Sequence, residues 1–297
     1  MLGLLYKFTT PWAKANRIEI FCNRVLGKAA NCLYPIWCSI KKTQKHKWSD
    51  DSVIISLTSY PARIDKVHIC IESLLRQTIK PKHLILWLAA SQFPDGIPKK
   101  LNDLTKKGLE IRYCEDFRSY KKIFETAQIY PDYNIVIADD DTLYPPNWLE
   151  GLIKTSGQYE KCVVCYRASK IRLDESGIPV NGKYWDSLSA DCKGPDYLLS
   201  ATGVGGVLYP KGFFSGCEID REKIMSIAPT SDDYWLKVFS VYRGYKVVKV
   251  NVNSTEWFTV KNSQRTSLTS VNAGNQGDVM KNLLKLYSVS FEPIAEE

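Results

Sequence analysis

The stretch that decides the fold is Ile135-Val-Ile-Ala-Asp-Asp-Asp-Thr-Leu-Tyr-Pro-Pro146. Its apolar start, bounded by turn-forming residues, is typical of a buried strand. Asp139, Asp140 and Asp141 follow at once, so we expect their carboxylates at the rim of a sheet, where open α/β folds bind ligands. Adjacent carboxylates repel one another unless a positive charge lies among them. A hard cation, Mg²⁺ or Mn²⁺, would bind both carboxylate and phosphate oxygens, and it is the expected partner.

The segments on either side of this stretch predict alternating strands and helices. We expect strands at 53–57, 83–89, 109–114, 135–138, 162–166 and 246–252. We expect helices at 64–77, 99–107, 120–129, 148–156, 231–241 and 279–287, and a glycine-rich strand or turn at 201–210. Such alternation predicts an α/β fold with a parallel sheet and right-handed crossovers.

Charge divides the chain into two unequal parts. The 297 residues carry a net charge of +8, with 44% hydrophobic and 24% charged residues, an ordinary globular composition. Residues 1–50 contain nine Lys/Arg and two Asp/Glu, whereas the remainder contains 31 and 30. We therefore expect a basic extension at 1–50, one domain at 51–290 and a tail at 291–297. The nearly neutral body does not support nucleic-acid binding along the chain.

The basic extension has the pattern of an amphipathic helix. Thr10-Pro11 is a plausible helix start, and Ile18, Phe21 and Val25 then share one face, with Cys22 and Leu26 as further candidates. Basic residues and two tryptophans surround this face: Trp12, Lys14, Arg17, Arg24, Lys28, Trp37, Lys41, Lys42, Lys45 and Lys47. Two interpretations stay open, a helix on an anionic membrane surface and a helix packed on the domain.

Two further features bear on location. No signal peptide is visible, and the longest uncharged run in the extension, residues 29–40, is too short to span a bilayer. The nine cysteines are odd in number and irregularly spaced, which favours reduced thiols and a cytoplasmic protein, peripheral at most on the inner face of the membrane. Cys162 and Cys165 would point to opposite faces of a strand, so no zinc site is expected there.

Five stretches together carry a resemblance to a known family. They are Ser56-Leu-Thr-Ser-Tyr-Pro-Ala-Arg63, Asp116-Phe-Arg-Ser-Tyr-Lys-Lys122, Ala138-Asp-Asp-Asp-Thr-Leu-Tyr-Pro145, Thr202-Gly-Val-Gly-Gly-Val-Leu-Tyr-Pro210 and Ser231-Asp-Asp-Tyr-Trp-Leu236. In this order the chain resembles the GT-A class of nucleotide-sugar glycosyltransferases, in particular family-2-type bacterial enzymes of capsule and lipopolysaccharide synthesis. The resemblance covers roughly residues 52–290. It implies a GT-A fold, a Rossmann-like, mostly parallel sheet flanked by helices, with a nucleotide-sugar half at 51–145 and an acceptor half at 146–290.

The resemblance implies a donor site around the aspartate triplet. Asp139 and Asp141 match the D-x-D motif that holds Mn²⁺ or Mg²⁺ against the donor diphosphate, and Asp140 would reach the ribose or the sugar. The ion would offset the charge of the leaving nucleoside diphosphate. The other donor-binding candidates are Thr58, Ser59, Arg63, Asp116 and Lys122. Each also has a plain alternative: a capped turn for the first three, and a surface role for Asp116 and Lys122.

The acceptor side rests on glycines and one tryptophan. Gly203, Gly205 and Gly206 place three glycines in four positions, which suggests a bend or a close approach of the backbone to a ligand. The resemblance puts this region beneath the acceptor. Trp185 could stack on a sugar face, although a lone Trp is more often a core residue.

Asp232 and Asp233 begin a predicted helix, where acidic residues can simply stabilise the helix dipole. The resemblance gives them a second role. Asp233 aligns with the general base of inverting transferases, and Asp232 aligns with its acidic neighbour. Inverting transfer needs a carboxylate opposite the leaving group to deprotonate the acceptor hydroxyl.

The sequence also departs in places from the pattern of the GT-A class that it resembles. Its histidines, His46, His68 and His83, all precede the triplet, so the downstream metal-binding His of some GT-A enzymes is absent. The Q-x-x-R-W signature of processive synthases is absent too, which favours transfer of a single sugar to a glycan or lipid-linked acceptor. Arg265 lies in a polar loop and could close over the diphosphate.

Two other classes of function remain open. A haloacid-dehalogenase-type phosphatase also uses D-x-D after a strand, but it needs Thr or Val where Leu143 stands and normally uses the first strand. A non-catalytic sugar- or membrane-binding module would not need Asp233.

Overall fold

The computed structural model describes residues 1–9, 15–41, 50, 52–186, 192–251, 257–261, 263 and 276–291. Its strands are β1 (Val53–Thr58), β2 (His83–Ala89), β3 (Leu109–Cys114), β4 (Asn134–Ile137), β5 (Cys162–Cys165), β6 (Ala168–Lys170), β7 (Leu199–Ala201), β8 (Val207–Tyr209) and β9 (Lys246–Lys249). Its helices are α1 (Leu2–Tyr6), α2 (Arg17–Ile40), α3 (Ile64–Leu75), α4 (Lys99–Asn102), α5 (Lys121–Ile129), α6 (Trp148–Ser156), α7 (Arg221–Ile227), α8 (Asp232–Tyr242) and α9 (Gln276–Tyr287).

Seven strands form a mixed, mostly parallel sheet in the order β3-β2-β1-β4-β8-β5-β9. Strands β1 to β4 pair in parallel, β8 lies antiparallel between β4 and β5, and β9 is parallel to β5. The predicted α/β class is confirmed as a Rossmann-like arrangement. The chain moves outward from β1 through β2 to β3 and returns to β4 on the other side of β1. That reversal is a topological switch point, so the loops after β1 and β4 face each other.

Helices cover both faces of the sheet because its central strands are apolar on both sides. In β4, Val136 packs on one face into a core with α3 and α6. Ile135 and Ile137 pack on the other face into a core with α5, α8 and α9. Successive residues of a strand point to opposite faces, so buried positions in succession require two covering layers.

Most predicted elements lie within a few residues of the observed ones, but the second half is richer than expected. Helix α7 was not predicted, and the stretch at 201–210 contains the last residue of β7, a turn and β8. Strand β8 joins the main sheet, whereas β7 pairs with β6 in a separate two-stranded sheet. These short strands carry no clear period, and pairing with distant strands determines their place.

The predicted start of the N-terminal helix needs correction. Helix α2 begins at Arg17, after a capping box in which the Asn16 side chain accepts hydrogen bonds from the N–H groups of Ile18 and Glu19. The Glu19 carboxylate in turn accepts the N–H of Asn16. This arrangement satisfies N–H groups that a helix start leaves free. Thr10 and Pro11 lie outside the described residues, as do Trp12, Lys14, Lys42, Lys45, Lys47 and Arg265.

The extension packs on the domain through α1 and one face of α2. Tyr34 and Ala30 are buried with Leu143 and Phe258, and Leu26 packs beside them rather than with the predicted apolar face. None of the helices in the described ranges combines the length and apolarity that a membrane crossing demands.

Candidate active site

The loops after β1 and β4 meet through Arg63. Its guanidinium lies 2.6 Å from Oδ1 of Asp140 and 3.1 Å from Oδ2 of Asp141, and it also donates to the carbonyl oxygen of Ser263 at 3.0 Å. The Ser59 hydroxyl donates to Oδ2 of Asp140 at 2.6 Å. Both side chains of the β1 loop therefore hold the middle aspartate of the triplet.

The first aspartate has a different neighbour. Nζ of Lys122, at the start of α5, lies 3.8 Å from Oδ1 of Asp139. The sequence predicts a metal ion as the positive charge within the triplet. In the described structure Arg63 and Lys122 supply positive charge beside the triplet, and a bound Mg²⁺ or Mn²⁺ stays a prediction.

Lys122 also reaches the second acidic motif. Its Nζ lies 3.3 Å from Oδ2 of Asp232, the first residue of α8. Burial lowers the pKa of Lys122, but the charges of Asp232 and Asp139 outweigh this effect, so the pKa lies above its usual range. One buried, protonated lysine thus joins two motifs that lie about ninety residues apart in the sequence.

The two aspartates of α8 have distinct surroundings. Oδ1 of Asp232 accepts the hydroxyl of Ser119 at 2.9 Å, in addition to the ion pair with Lys122. Oδ2 of Asp233 accepts the backbone N–H of Gly203 at 3.2 Å. Asp232 is thereby tied to the α5 side of the site, and Asp233 to the loop between β7 and β8.

The pKa of Asp233 lies above the usual range of a carboxyl group. Burial raises its pKa, and the neighbouring charge of Asp232 raises it further, while Lys122 opposes both effects. A carboxyl group with a raised pKa takes up a proton near neutral pH more readily than an ordinary one. Perturbed titration within a charged cluster is typical of catalytic groups, although ion-pair networks also produce it.

Gly203 lies between the carboxylate of Asp139 and the carboxylate of Asp233. A Cβ at this position would lie 3.4 Å from Oδ1 of Asp233 and 3.6 Å from Oδ1 of Asp139. The carboxylates of Asp139 and Asp233 therefore flank one backbone position. The absence of a side chain at Gly203 keeps the space between them free.

The other two glycines have packing roles. Gly205 and Gly206 both adopt positive φ, +88° and +86°, and a Cβ would lie 2.6 Å from the Trp257 ring and 2.4 Å from the Trp148 ring respectively. These positions require glycine for the backbone conformation and for the closely packed tryptophans. Contact with an acceptor stays a prediction for them.

The remaining candidates each bind or pack against partners of their own. The Asp116 carboxylate accepts hydrogen bonds from Lys121 at 2.7 Å and Gln92 at 2.7 Å. The Thr58 hydroxyl donates to the carbonyl oxygen of Trp87. Trp185 packs against Tyr234, the residue after Asp233 in α8, with ring centroids 5.5 Å apart.

Several residues of the site were not singled out from the sequence. Ser119 lies within the quoted stretch 116–122, and its hydroxyl binds Asp232. Lys237 lies one turn after Asp233 and lines a small cavity with it. Burial lowers the pKa of Lys237 to about 7. Lys237 could have been found from the sequence, because it falls among the apolar positions of the predicted helix at 231–241.

The donor atoms fit a divalent ion only in part. Among the residues that the structure describes, no cluster of three or more His, Cys, Asp or Glu side chains is arranged to hold a metal. Mg²⁺ commonly binds one or two carboxylates and completes its shell with water and substrate phosphates. Asp139 suits this role because its oxygens are hard donors, its side chain is 25% exposed, and it lies outside the Arg63 pair. Asp141 could serve once it is released from Arg63.

Comparisons with known proteins add little to this geometry. No family model matches the sequence, and no curated protein matches it. Among solved structures, one match is 4-diphosphocytidyl-2C-methyl-D-erythritol synthase, at 10% sequence identity and a TM-score of 0.41. The match covers 75% of this chain and 99% of that chain. A similarity of this strength carries no argument about activity.

Proposed function

We propose that this chain is a GT-A-type, inverting glycosyltransferase that moves one sugar from a nucleotide-diphosphate sugar to a hydroxyl of a glycan or lipid-linked acceptor. The observation that carries the proposal is the approach of two carboxylates from different motifs to Gly203. Asp139 follows a central strand at the switch point, Asp233 lies in the first turn of α8, and the pKa of each is above the usual carboxyl range. Transfer from such a donor needs both a phosphate-binding group and a base, close together.

The donor would bind across the edge of the sheet between β1 and β4. Ser59, Arg63 and Asp140 form one connected group there, suited to the nucleoside. Lys122 and Asp139 lie beside it, at the position we assign to the diphosphate. Mg²⁺ or Mn²⁺, held by Asp139 and Asp141, would offset the charge of the leaving diphosphate.

Asp233 would act as the base. The acceptor oxygen bonds to the anomeric carbon while the bond from that carbon to the diphosphate oxygen breaks. The hydroxyl proton passes to Asp233, and the electron pair leaves with the nucleoside diphosphate. The Gly203 N–H holds Oδ2 of Asp233 at 3.2 Å, which orients the carboxylate for this proton transfer. Attack opposite the leaving group inverts the anomeric centre.

The protonated Lys122 would balance the charge that develops on the leaving diphosphate. It lies near Asp139 on the donor side and Asp232 on the acceptor side. Preorganised charge of this kind needs no rearrangement during the reaction. We assign the enzyme to surface polysaccharide synthesis, on the cytoplasmic face of the membrane.

The experiment is a screen of UDP-, GDP-, dTDP- and CMP-sugars, with and without Mn²⁺ or Mg²⁺. Binding is measured by calorimetry, and slow donor hydrolysis by release of the nucleotide. The proposal expects one nucleotide-diphosphate sugar to bind and hydrolyse, both more strongly with the metal. Failure of every activated sugar in the presence of metal would rule the proposal out. Hydrolysis of simple phosphomonoesters instead would favour a phosphatase.

A further inference from the structure

Helix α2 exposes a continuous apolar stripe on the side away from the domain. At about 100° per residue, the members of this outer stripe lie within an arc of about 120° along the whole helix. They are Ile18, Phe21, Cys22, Val25, Cys32, Leu33, Ile36 and Ile40. The six large side chains among them are 47% to 74% exposed, and both cysteines are exposed. Soluble monomers rarely expose so long a contiguous apolar surface without a use for it.

The outer stripe is not the surface that holds the helix in place. The opposite face packs on the domain through Ala30 and Tyr34. Asn31 adds two hydrogen bonds, from its Nδ2 to the carbonyl oxygen of Thr259 at 2.8 Å and from the N–H of Lys261 to its Oδ1 at 2.7 Å. The helix is therefore apolar on two sides, and the domain accounts for only one of them.

Charge indicates what covers the outer stripe. The exposed residues Arg17, Arg24 and Lys28 run along one border of the stripe, and Glu19, the one acidic residue of the helix, is used in the cap. Residues 1–50 carry seven of the eight net positive charges, nine basic minus two acidic. A lengthwise apolar stripe with a basic border is the pattern of a helix that lies in the interface of an anionic bilayer.

We propose that the outer stripe of α2 docks the protein on an anionic lipid surface, with the helix axis in the plane of the membrane. The apolar side chains enter the boundary between headgroups and acyl chains. Arg17, Arg24 and Lys28 bind the anionic headgroups. This proposal does not depend on glycosyl transfer, because it rests on the surface of α2 alone.

Docking in this way would place the candidate active site near the lipid. Asn31 binds residues 259 and 261, and the N–H of Val260 donates to the carbonyl oxygen of Asp141 at 2.7 Å. Residues 259–261 therefore connect the membrane-binding helix to the aspartate triplet. A lipid-linked acceptor would thus be held close to the site by the surface on which the enzyme lies.

The test measures co-sedimentation of the full chain with vesicles of phosphatidylcholine alone or mixed with phosphatidylglycerol. We expect binding to the mixed vesicles only, decreasing as salt is added. The double variant Phe21→Ser/Ile36→Ser should bind at least about tenfold more weakly. Its matched control is Ile129→Ser/Tyr159→Ser, which removes exposed apolar side chains elsewhere and should bind as the parent does.

A second pair of variants tests the basic border. Arg17→Gln/Arg24→Gln/Lys28→Gln should lose binding to anionic vesicles by about tenfold or more, whereas Lys99→Gln/Lys100→Gln/Lys154→Gln should not. Equal binding by the stripe variants and their controls would overturn the proposal. So would a stable dimer of the parent that the Phe21→Ser/Ile36→Ser variant dissociates, because a second copy would then cover the stripe. Donor binding by the lipid-free protein reports separately on the proposed function.

Discussion

Nζ of Lys122 lies 3.3 Å from Oδ2 of Asp232, across the junction of α5 and α8. The same nitrogen lies 3.8 Å from Oδ1 of Asp139, so one cation is shared by the carboxylates of two motifs. This contact and the hydrogen bond from Gly203, in the loop between β7 and β8, together hold Asp233 next to the end of β4. The proposed donor and acceptor sides are therefore coupled through a buried charge rather than built separately.

Replacing Lys122 by Met should destabilise the protein by about 3 to 5 kcal/mol, because removal of one partner leaves buried carboxylates unpaired. Urea unfolding measures the change. The matched control is Lys106→Met, whose parent side chain is 82% exposed and pairs only weakly with Asp103, so its effect should stay within about 1 kcal/mol. Equal stabilities for the two variants would show that Lys122 does not hold the motifs together.

Asp233→Asn should lower kcat by about 10²- to 10⁴-fold and leave donor affinity nearly unchanged, because Asn can still accept the Gly203 N–H but cannot take a proton. Steady-state kinetics with the donor found by the screen measures both quantities. Asp220→Asn is the control, since Asp220 is likewise an aspartate at the start of a helix that accepts a backbone N–H, that of Lys223, and the variant should keep full activity. Loss of turnover in Asp232→Asn but not in Asp233→Asn would exchange the two assignments.

The sequence predicted six of the seven strands of the central sheet, because most of them are short apolar runs that alternate with amphipathic helices. Through the resemblance it also predicted roles for Asp139 and Asp233, whose carboxylates lie on either side of Gly203 in the structure. What it could not give was the pairing of charges. Arg63 binds Asp140 across 77 positions and Lys122 binds Asp232 across 110, contacts that leave no periodic signal in the chain. The insertion of β8 between β4 and β5 is equally non-local.

The N-terminal extension shows the same limit more sharply. Its helical period was visible, and membrane binding and packing on the domain were weighed as alternatives. The structure gives α2 two apolar faces, one buried beside Tyr34 and one exposed at Ile18 and Ile36. The amphipathic pattern of the sequence does not distinguish the two faces. It groups Leu26 with the exposed residues Phe21 and Val25, whereas in the structure Leu26 packs on the domain.

Gly203→Ala and Gly206→Ala should fail in different ways. The added methyl at Gly203 meets the carboxylates at ordinary contact distance, so stability should hold while kcat/KM falls by about tenfold or more. At Gly206 the methyl would lie 2.4 Å from the Trp148 ring on a backbone of positive φ, which should cost at least about 1 to 3 kcal/mol of stability. Thermal unfolding and transfer assays on both variants distinguish the outcomes. A Gly203→Ala enzyme with full activity would contradict a reaction centre between Asp139 and Asp233.

Stability without ligand should fall as the pH rises from about 4 to about 7.5. Burial raises the pKa of Asp139 to about 6, and Asp141 and Asp140 add to this while Lys122 opposes it, so the folded protein binds this proton more tightly than the unfolded chain. This proton contributes about 3 kcal/mol to the free energy of unfolding. The contribution is fully present below the ordinary carboxyl pKa and disappears as the pH rises past about 6.

Asp139→Asn tests this contribution. Asp116 and Asp141 titrate in both proteins, and the charge of Asp139 also helps to raise the pKa of Asp233, which changes the difference between the two proteins in the same direction. Urea unfolding in chelator should show that the parent loses about 3 kcal/mol more than the variant between the two ends of that pH range. Added Mn²⁺ should restore part of the lost stability of the parent, and only at the higher pH, because the ion binds the ionised carboxylate of Asp139 and balances its negative charge. Parallel pH profiles for the two proteins would mean that Asp139 is ionised normally in the fold, and an equal response of Asp139→Asn to Mn²⁺ would place the ion elsewhere.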